Sequence, residues 1–231
     1  MKLAIFDVDG TLLDNVASED VCYAAALIKG LGLAALDTDW RTYRHVTDEG
    51  VAREAFERAF GVPPSAEAIA RTIDHFLTFL ADAHAQEPLR SISGAAELLE
   101  TLSARGWTLA LATGAWQRAA RYKLAAAELP IDDLPLATAE DGPARVAIVQ
   151  AAWARAGNER APFNRVVLVG DAVWDVASAQ ALGLPFVGRA TGERATELRA
   201  RGATVVFDDY TNLEAVVTAF DVAGVPLATT P

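Results

Sequence analysis

Six short apolar runs punctuate the chain, at residues 3–6, 108–112, 134–137, 166–169, 185–187 and 204–207. The run at 3–6 ends in acids and Gly10, as a strand buried on both faces does when it enters a loop. Between the later runs the apolar spacing becomes helical, and helices are expected at about 94–105, 117–128, 144–156, 173–182, 193–201 and 213–220. The first of these has Ser93 at the cap position, with Glu97 one residue beyond capping-box spacing. Its apolar face is Leu98, Leu99 and Leu102, and Gly106 is the stop signal. Strand and helix alternate from residue 93 onward. That rhythm predicts an α/β three-layer sandwich with a mostly parallel, Rossmann-like sheet.

Residues 16–88 break the rhythm. No strand pattern occurs there, but Ile69, Ile73, Phe76 and Leu80 form one helical stripe and Val51, Ala55, Phe56 and Ala59 another, separated by Pro63-Pro64. The expected organisation is an α/β core of residues 1–15 and 89–231, with an all-helical cap domain of residues 16–88 inserted after the first strand. Such an insertion lies over the carboxyl ends of the strands, where open parallel sheets bind ligands. Residues 222–231 carry no charge and two prolines, and are expected to be a loose tail.

Composition narrows the function classes. The chain has 231 residues and a formal net charge of −11, with 52% hydrophobic residues, so it can bury a core without disulfides. That charge opposes nucleic-acid binding and basic membrane-surface helices, while leaving room for a small phosphorylated metabolite at a local site. The longest uncharged stretch, residues 176–188, is 13 residues, too short to span a bilayer. Cys22 is the single cysteine, and the first residues do not form a signal peptide, so a cytoplasmic location is expected. Monomer and homodimer both remain open.

The strongest chemical signal is Asp7-Val8-Asp9-Gly10-Thr11, two carboxylates at the mouth of the first strand. Like charges so close raise each other's pKa unless a cation offsets them, and a hard ion such as Mg²⁺ takes carboxylate oxygens. A calcium loop is excluded: counted from Asp7, the glycine is fourth and the twelfth residue is Ser18. A second buried run delivers Gly170-Asp171, with Asp175 four residues later on the same side of a helix start. A third ends in Thr113-Gly114, where a hydroxyl and free N–H groups can hold a phosphate oxygen.

Together these segments resemble the haloacid dehalogenase (HAD) superfamily, in its phosphoglycolate-phosphatase-like branch with a helical cap. The resemblance implies Asp7 as nucleophile and Asp9 as general acid/base. It also implies Thr113 and Gly114 at the phosphoryl group, and Asp7, Asp9, Asp171 and Asp175 around Mg²⁺. The family's cation, usually Lys, is matched here by Arg145, which keeps the charge and adds a planar fork. Lys123 is the rival, although a solvated helix charge is its more ordinary reading. The implied activity is hydrolysis of a small phosphomonoester through an aspartyl phosphate. The alternatives are a phosphomutase acting on a sugar phosphate, a 2-haloacid dehalogenase or a non-catalytic binding protein. Asp9 weighs against dehalogenation, because a leaving halide needs no proton whereas an alkoxide does.

Other residues carry less. His45, His75 and His84 lie in the inserted segment without zinc spacing, and Cys22 has no catalytic context. Residues 43–49 with Arg53 read either as a specificity loop or as an ordinary cap at Thr47 or Asp48. Trp116 and Trp174 are expected to pack under loops. Lys29 is the only lysine within the cap, which leaves Schiff-base phosphonate cleavage without support.

Overall fold

The computed structural model describes residues 1–127, 129–131, 133–157 and 162–227. Six strands form one sheet: β1 (Lys2–Phe6), β2 (Trp107–Ala112), β3 (Leu136–Ala137), β4 (Arg165–Gly170), β5 (Phe186–Arg189) and β6 (Val206–Phe207). Their order is β3-β2-β1-β4-β5-β6 and every pairing is parallel. β1 is central, with Phe6 opposite Leu111 of β2 and Val169 of β4. The chain winds outward from β1 to β3, then crosses back to β4, so the order reverses beside β1. A crevice opens at such a switch point.

Alternation on β1 explains the three layers. Ala4 and Phe6 face α4 (Ala95–Ala104) and α9 (Leu213–Val222), where Leu98, Leu102, Val217 and Phe220 pack against them. Leu3 and Ile5 face the opposite layer of α6 (Arg145–Ala156), α7 (Val173–Leu182) and α8 (Gly192–Ala200). Each large apolar side chain buried this way contributes about 1.5–3 kcal/mol.

Between β1 and α4 come α1 (Val16–Leu31), α2 (Asp48–Phe60) and α3 (Ala66–Gln86). They enclose a separate apolar cluster of Tyr23, Leu27, Phe76 and Leu80. A Cβ on Gly30 would lie 2.5 Å from the Thr72 Cα, so α1 and α3 approach closely there. Trp116 and Ala119, at the start of α5 (Gln117–Ala126), join the same cluster and seat these helices on the α/β layers. The two connecting segments run side by side: Asp14 N–H donates to the Arg90 carbonyl and Ile92 N–H to Leu12.

Local expectations needed correction in four places. The edge strands shrink to two residues each, β3 and β6, because each has one neighbour to pair with. Ser93 does not cap α4. Gly94 takes that place at φ 79°, where a Cβ would lie 2.6 Å from the Tyr210 carbonyl carbon. α9 continues to Val222, and Leu227 N–H donates to the Gly202 carbonyl at 3.1 Å, so the tail is pinned up to that point. Residues 228–231, and the expected helix end at Glu128, lie outside the described residues. Lys123, read as solvated, is fully buried. Among the described residues no helix is long and apolar enough to cross a membrane.

Candidate active site

The loop after β1 carries the nucleophile candidate to the crevice. Asp7 N–H extends the sheet ladder to the Val169 carbonyl at 2.9 Å, which fixes the backbone where its carboxylate emerges. Gly10 turns the loop at φ 79°, a conformation that favours glycine. A Cβ there would lie 2.1 Å from Asp171 Oδ2. The end of β4 follows the same logic: a Cβ on Gly170 would lie 2.4 Å from the Asp175 Cβ. Asp175 Oδ2 accepts from Ala172 N–H at 3.1 Å, capping α7, and leaves Oδ1 for a second partner.

That partner is Arg145, the first residue of α6. Its Nη2 donates to Asp175 Oδ1 at 2.9 Å and to Asp7 Oδ1 at 3.0 Å. The guanidinium reaches them past Gly114, where a Cβ would be 2.6 Å from Arg145 Nη1. Thr113 is buried beside it, its N–H donating to the Ala137 carbonyl and its hydroxyl accepting from Ala115 N–H at 3.1 Å. Gly114→Ala is therefore expected to displace Arg145, lower kcat/KM at least tenfold and lower the thermal midpoint, as the buried Asp7 and Asp175 lose their cation. Steady-state assays beside thermal unfolding check this.

Asp7, Asp171 and Asp175 each offer a carboxylate oxygen, all within 4.8 Å of one another, and all three are buried. Burial pushes the Asp7 carboxyl well above the usual range against the opposing Arg145 charge, and Asp175 and Asp171 add to the push. Burial, then Asp175, pushes Asp171 up to about 7. An all-oxygen, charge-crowded set of this kind suits a hard divalent cation. Asp9 departs from the expected ligand set. Its Oδ1 accepts from Asn15 Nδ2 at 2.7 Å and its Oδ2 from Lys123 Nζ at 2.6 Å, outside the trio.

Arg145 and Lys123 thus divide the cationic work between them. Lys123, on α5, also pairs with Glu19 of α1, so one buried ammonium serves two carboxylates from different parts of the chain. Burial raises both carboxyls. At Asp9 the Lys123 charge and the surrounding side-chain hydrogen bonds, among them those from Lys123 and Asn15, together outweigh it and the pKa falls; at Glu19 burial and the Asp9 charge prevail and it rises.

A cavity of about 120 Å³ opens between these groups and the inserted helices. Thr47 caps α2 by accepting from Gly50 N–H at 3.0 Å. Val46, Thr47 and Asp48 line the cavity, whereas His45 and Arg53 are not among its lining residues. Asp48 binds the α/β part at both ends: its N–H donates to the Gly114 carbonyl at 2.8 Å and its Oδ2 accepts from Trp116 N–H at 2.9 Å. Burial pushes the Asp48 carboxyl up to about 7. Trp116 is packed in the helical cluster as expected, while Trp174 is a cavity wall.

A family model described as haloacid dehalogenase-like hydrolase matches residues 1–183. The chain belongs to that family. It is 32% identical over 229 residues to a phosphoglycolate phosphatase of Rhodospirillum rubrum, covering 92% of this chain and 89% of the relative. A second phosphoglycolate phosphatase, from Agrobacterium fabrum, is 27% identical over 213 residues, covering 91% and 90%. The chain therefore falls in the phosphoglycolate-phosphatase-like branch of these hydrolases. Among solved structures, a hydrolase from Pseudomonas syringae superposes with a TM-score of 0.72 at 22% identity, covering 97% of this chain and all (100%) of the other. CbbY from Rhodobacter sphaeroides in complex with phosphate gives 0.72 at 19% identity, covering 95% and 99%. Both likenesses concern the fold.

Sequence reading missed Glu19 and Arg194 as cavity residues, whereas Asp48 falls in the 43–49 stretch read as a specificity loop or an ordinary cap. Each lies near a helix start in an otherwise ordinary pattern, and only the folded chain brings them to the cavity.

Proposed function

We propose that this hydrolase is a Mg²⁺-dependent phosphatase acting on a small phosphomonoester. The observation that carries the reading is the Asp7 carboxylate, held by Arg145 beside Asp171 and Asp175 at the mouth of a small cavity. In this reading Asp7, Asp171 and Asp175 hold the cation. When bound, it offsets negative charge on the carboxylates and on the phosphoryl oxygens.

The protein's own groups then divide the reaction. An Asp7 oxygen attacks phosphorus, a P–O bond forms, and the bond to the substrate's alcohol oxygen breaks. Asp9 gives that oxygen its proton and later takes one from the water that splits the aspartyl phosphate, releasing inorganic phosphate. Arg145, Thr113 and the backbone at Gly114 bind the phosphoryl oxygens. In its ion pair with Lys123 Asp9 is a carboxylate, so it serves as the acid only after it turns from Lys123 toward the leaving oxygen and takes up a proton from solvent. Residues 16–88 serve as the cap, closed through Asp48 onto Gly114 and Trp116.

The names of the two relatives make phosphoglycolate the first compound to assay. The test is release of inorganic phosphate across a panel of phosphomonoesters. Mg²⁺-dependent release, reduced at least about 100-fold by EDTA and restored by added Mg²⁺, is expected. Isomerised sugar phosphate without release would favour the mutase, and EDTA-insensitive release would overturn the metal assignment.

A further inference from the structure

Charge is unevenly spent in the cavity. Its lining includes six carboxylates but only two cations, Arg145 and Arg194. Arg145 is committed to Asp7 and Asp175 at the phosphoryl position. Arg194, on the first turn of α8, differs from it. Its side chain is 49% exposed, and among the described residues a single N–H, on Nη1, is engaged, to Asp171 Oδ2 at 2.8 Å. A guanidinium has five N–H donors in a planar fork, so most of its hydrogen-bonding capacity faces the cavity and solvent. Trp40 and Trp174 line the cavity as well, and both also wall an adjoining cavity that shares Arg194.

We infer that Arg194 is a specificity-determining residue: among the phosphomonoesters this site takes, it favours those that bear a carboxylate by binding that carboxylate directly. This rests on the phosphatase reading above. With the phosphoryl group at Asp7 and Arg145, a second anionic group on so small a molecule still lies within the cavity. Among the charged groups lining the cavity, Arg194 is the cation not already committed to the phosphoryl position, and the rest are carboxylates. The planar fork matches a carboxylate in two parallel hydrogen bonds, a geometry that an ammonium cannot offer. A neutral tail gains nothing from this guanidinium. Without it, the remaining acids repel the anionic tail, and discrimination comes from both effects.

The experiment compares 2-phosphoglycolate with 2-hydroxyethyl phosphate, which is similar in size and lacks the carboxylate. kcat/KM for both is measured on the wild type, Arg194→Gln and Arg194→Lys at saturating Mg²⁺. Arg194→Gln is expected to lower the acid-to-neutral ratio about tenfold or more, and Arg194→Lys by less, as charge is kept and the fork lost. Equal losses on both compounds would mean that Arg194 merely supports Asp171, and would overturn the proposal. A wild type that does not prefer the acid would overturn it too. Calorimetric binding of the same two compounds to Asp7→Asn and to Asp7→Asn/Arg194→Gln gives a reading independent of turnover. If the wild type hydrolyses neither ester, the binding ratio alone decides the role of Arg194, and the phosphatase reading stands or falls on the wider panel.

Discussion

Asp7→Asn is expected to lower kcat/KM by at least about 10³-fold on every phosphomonoester the protein hydrolyses, because an amide oxygen does not form the acyl phosphate. The same change is expected to leave the fold intact and to keep or raise the thermal midpoint near pH 8. The sign follows from the environment of Asp7. Burial holds its pKa well above the ordinary carboxylate value, despite Arg145. A carboxyl whose pKa is raised on folding loses stability as pH climbs from the unfolded value through the folded one. At pH 8 the native state bears that cost in the absence of a metal, and Asn removes it while its carbonyl oxygen still accepts from Arg145. Steady-state kinetics paired with unfolding scans check both halves. Unchanged turnover would remove Asp7 from the mechanism. A large drop in midpoint would mean that its charge supports the fold.

Lys123→Met carries the largest expected stability effect. The ammonium is fully buried, and it is the cation paired with both Asp9 and Glu19. Removing one partner of a buried ion pair costs about 3–5 kcal/mol, or a fall of about 10 °C in a chain of this size. The charges of Asp9, Glu19 and Asp48 hold its pKa above the ordinary lysine value, against burial. A raised lysine contributes fully below its unfolded pKa, so it stays charged across the whole working range. The variant's deficit instead tracks the two abandoned carboxylates. It is expected to shrink as pH falls from about 8 into the acid range, because the raised Glu19 carboxyl takes up a proton on the way. Asp9→Asn together with Glu19→Gln is expected to restore most of the loss in the Lys123→Met background. A deficit independent of pH would show that packing of the aliphatic stem, rather than charge, is what Lys123 supplies.

The legible parts of this chain were those governed by short-range physics. The strand at Leu3–Phe6 announces itself because both faces are buried, and the acids at Asp7, Asp171 and Asp175 follow strand ends whose positions are fixed by the sheet. Thr113 is legible for the same reason, at a strand end, whereas Arg145, at a helix start, is legible only through the family resemblance. Lys123 was misread because helical periodicity says which residues share a face and nothing about what covers that face. The carboxylates that hold it come from the loop after β1 and from α1, Asp9 lying 114 and Glu19 lying 104 residues earlier in the chain. Arg194 escaped attention likewise, since an arginine in the first turn of a surface helix has no signature of its own. The site's acids are thus legible from local pattern, while their cations depend on long-range packing.

The inserted helices leave and rejoin the chain through two adjoining segments, tied by Asp14 to Arg90 and by Ile92 to Leu12. Because entry and exit sit together, the length and sequence of what lies between impose no demand on the sheet. Evolution can exchange that module as one exchanges the bit in a drill chuck. Such an exchange leaves the sheet in place, but the incoming helices must still supply what α1 and α2 give the site, a carboxylate for Lys123 and a tie to Gly114 and Trp116.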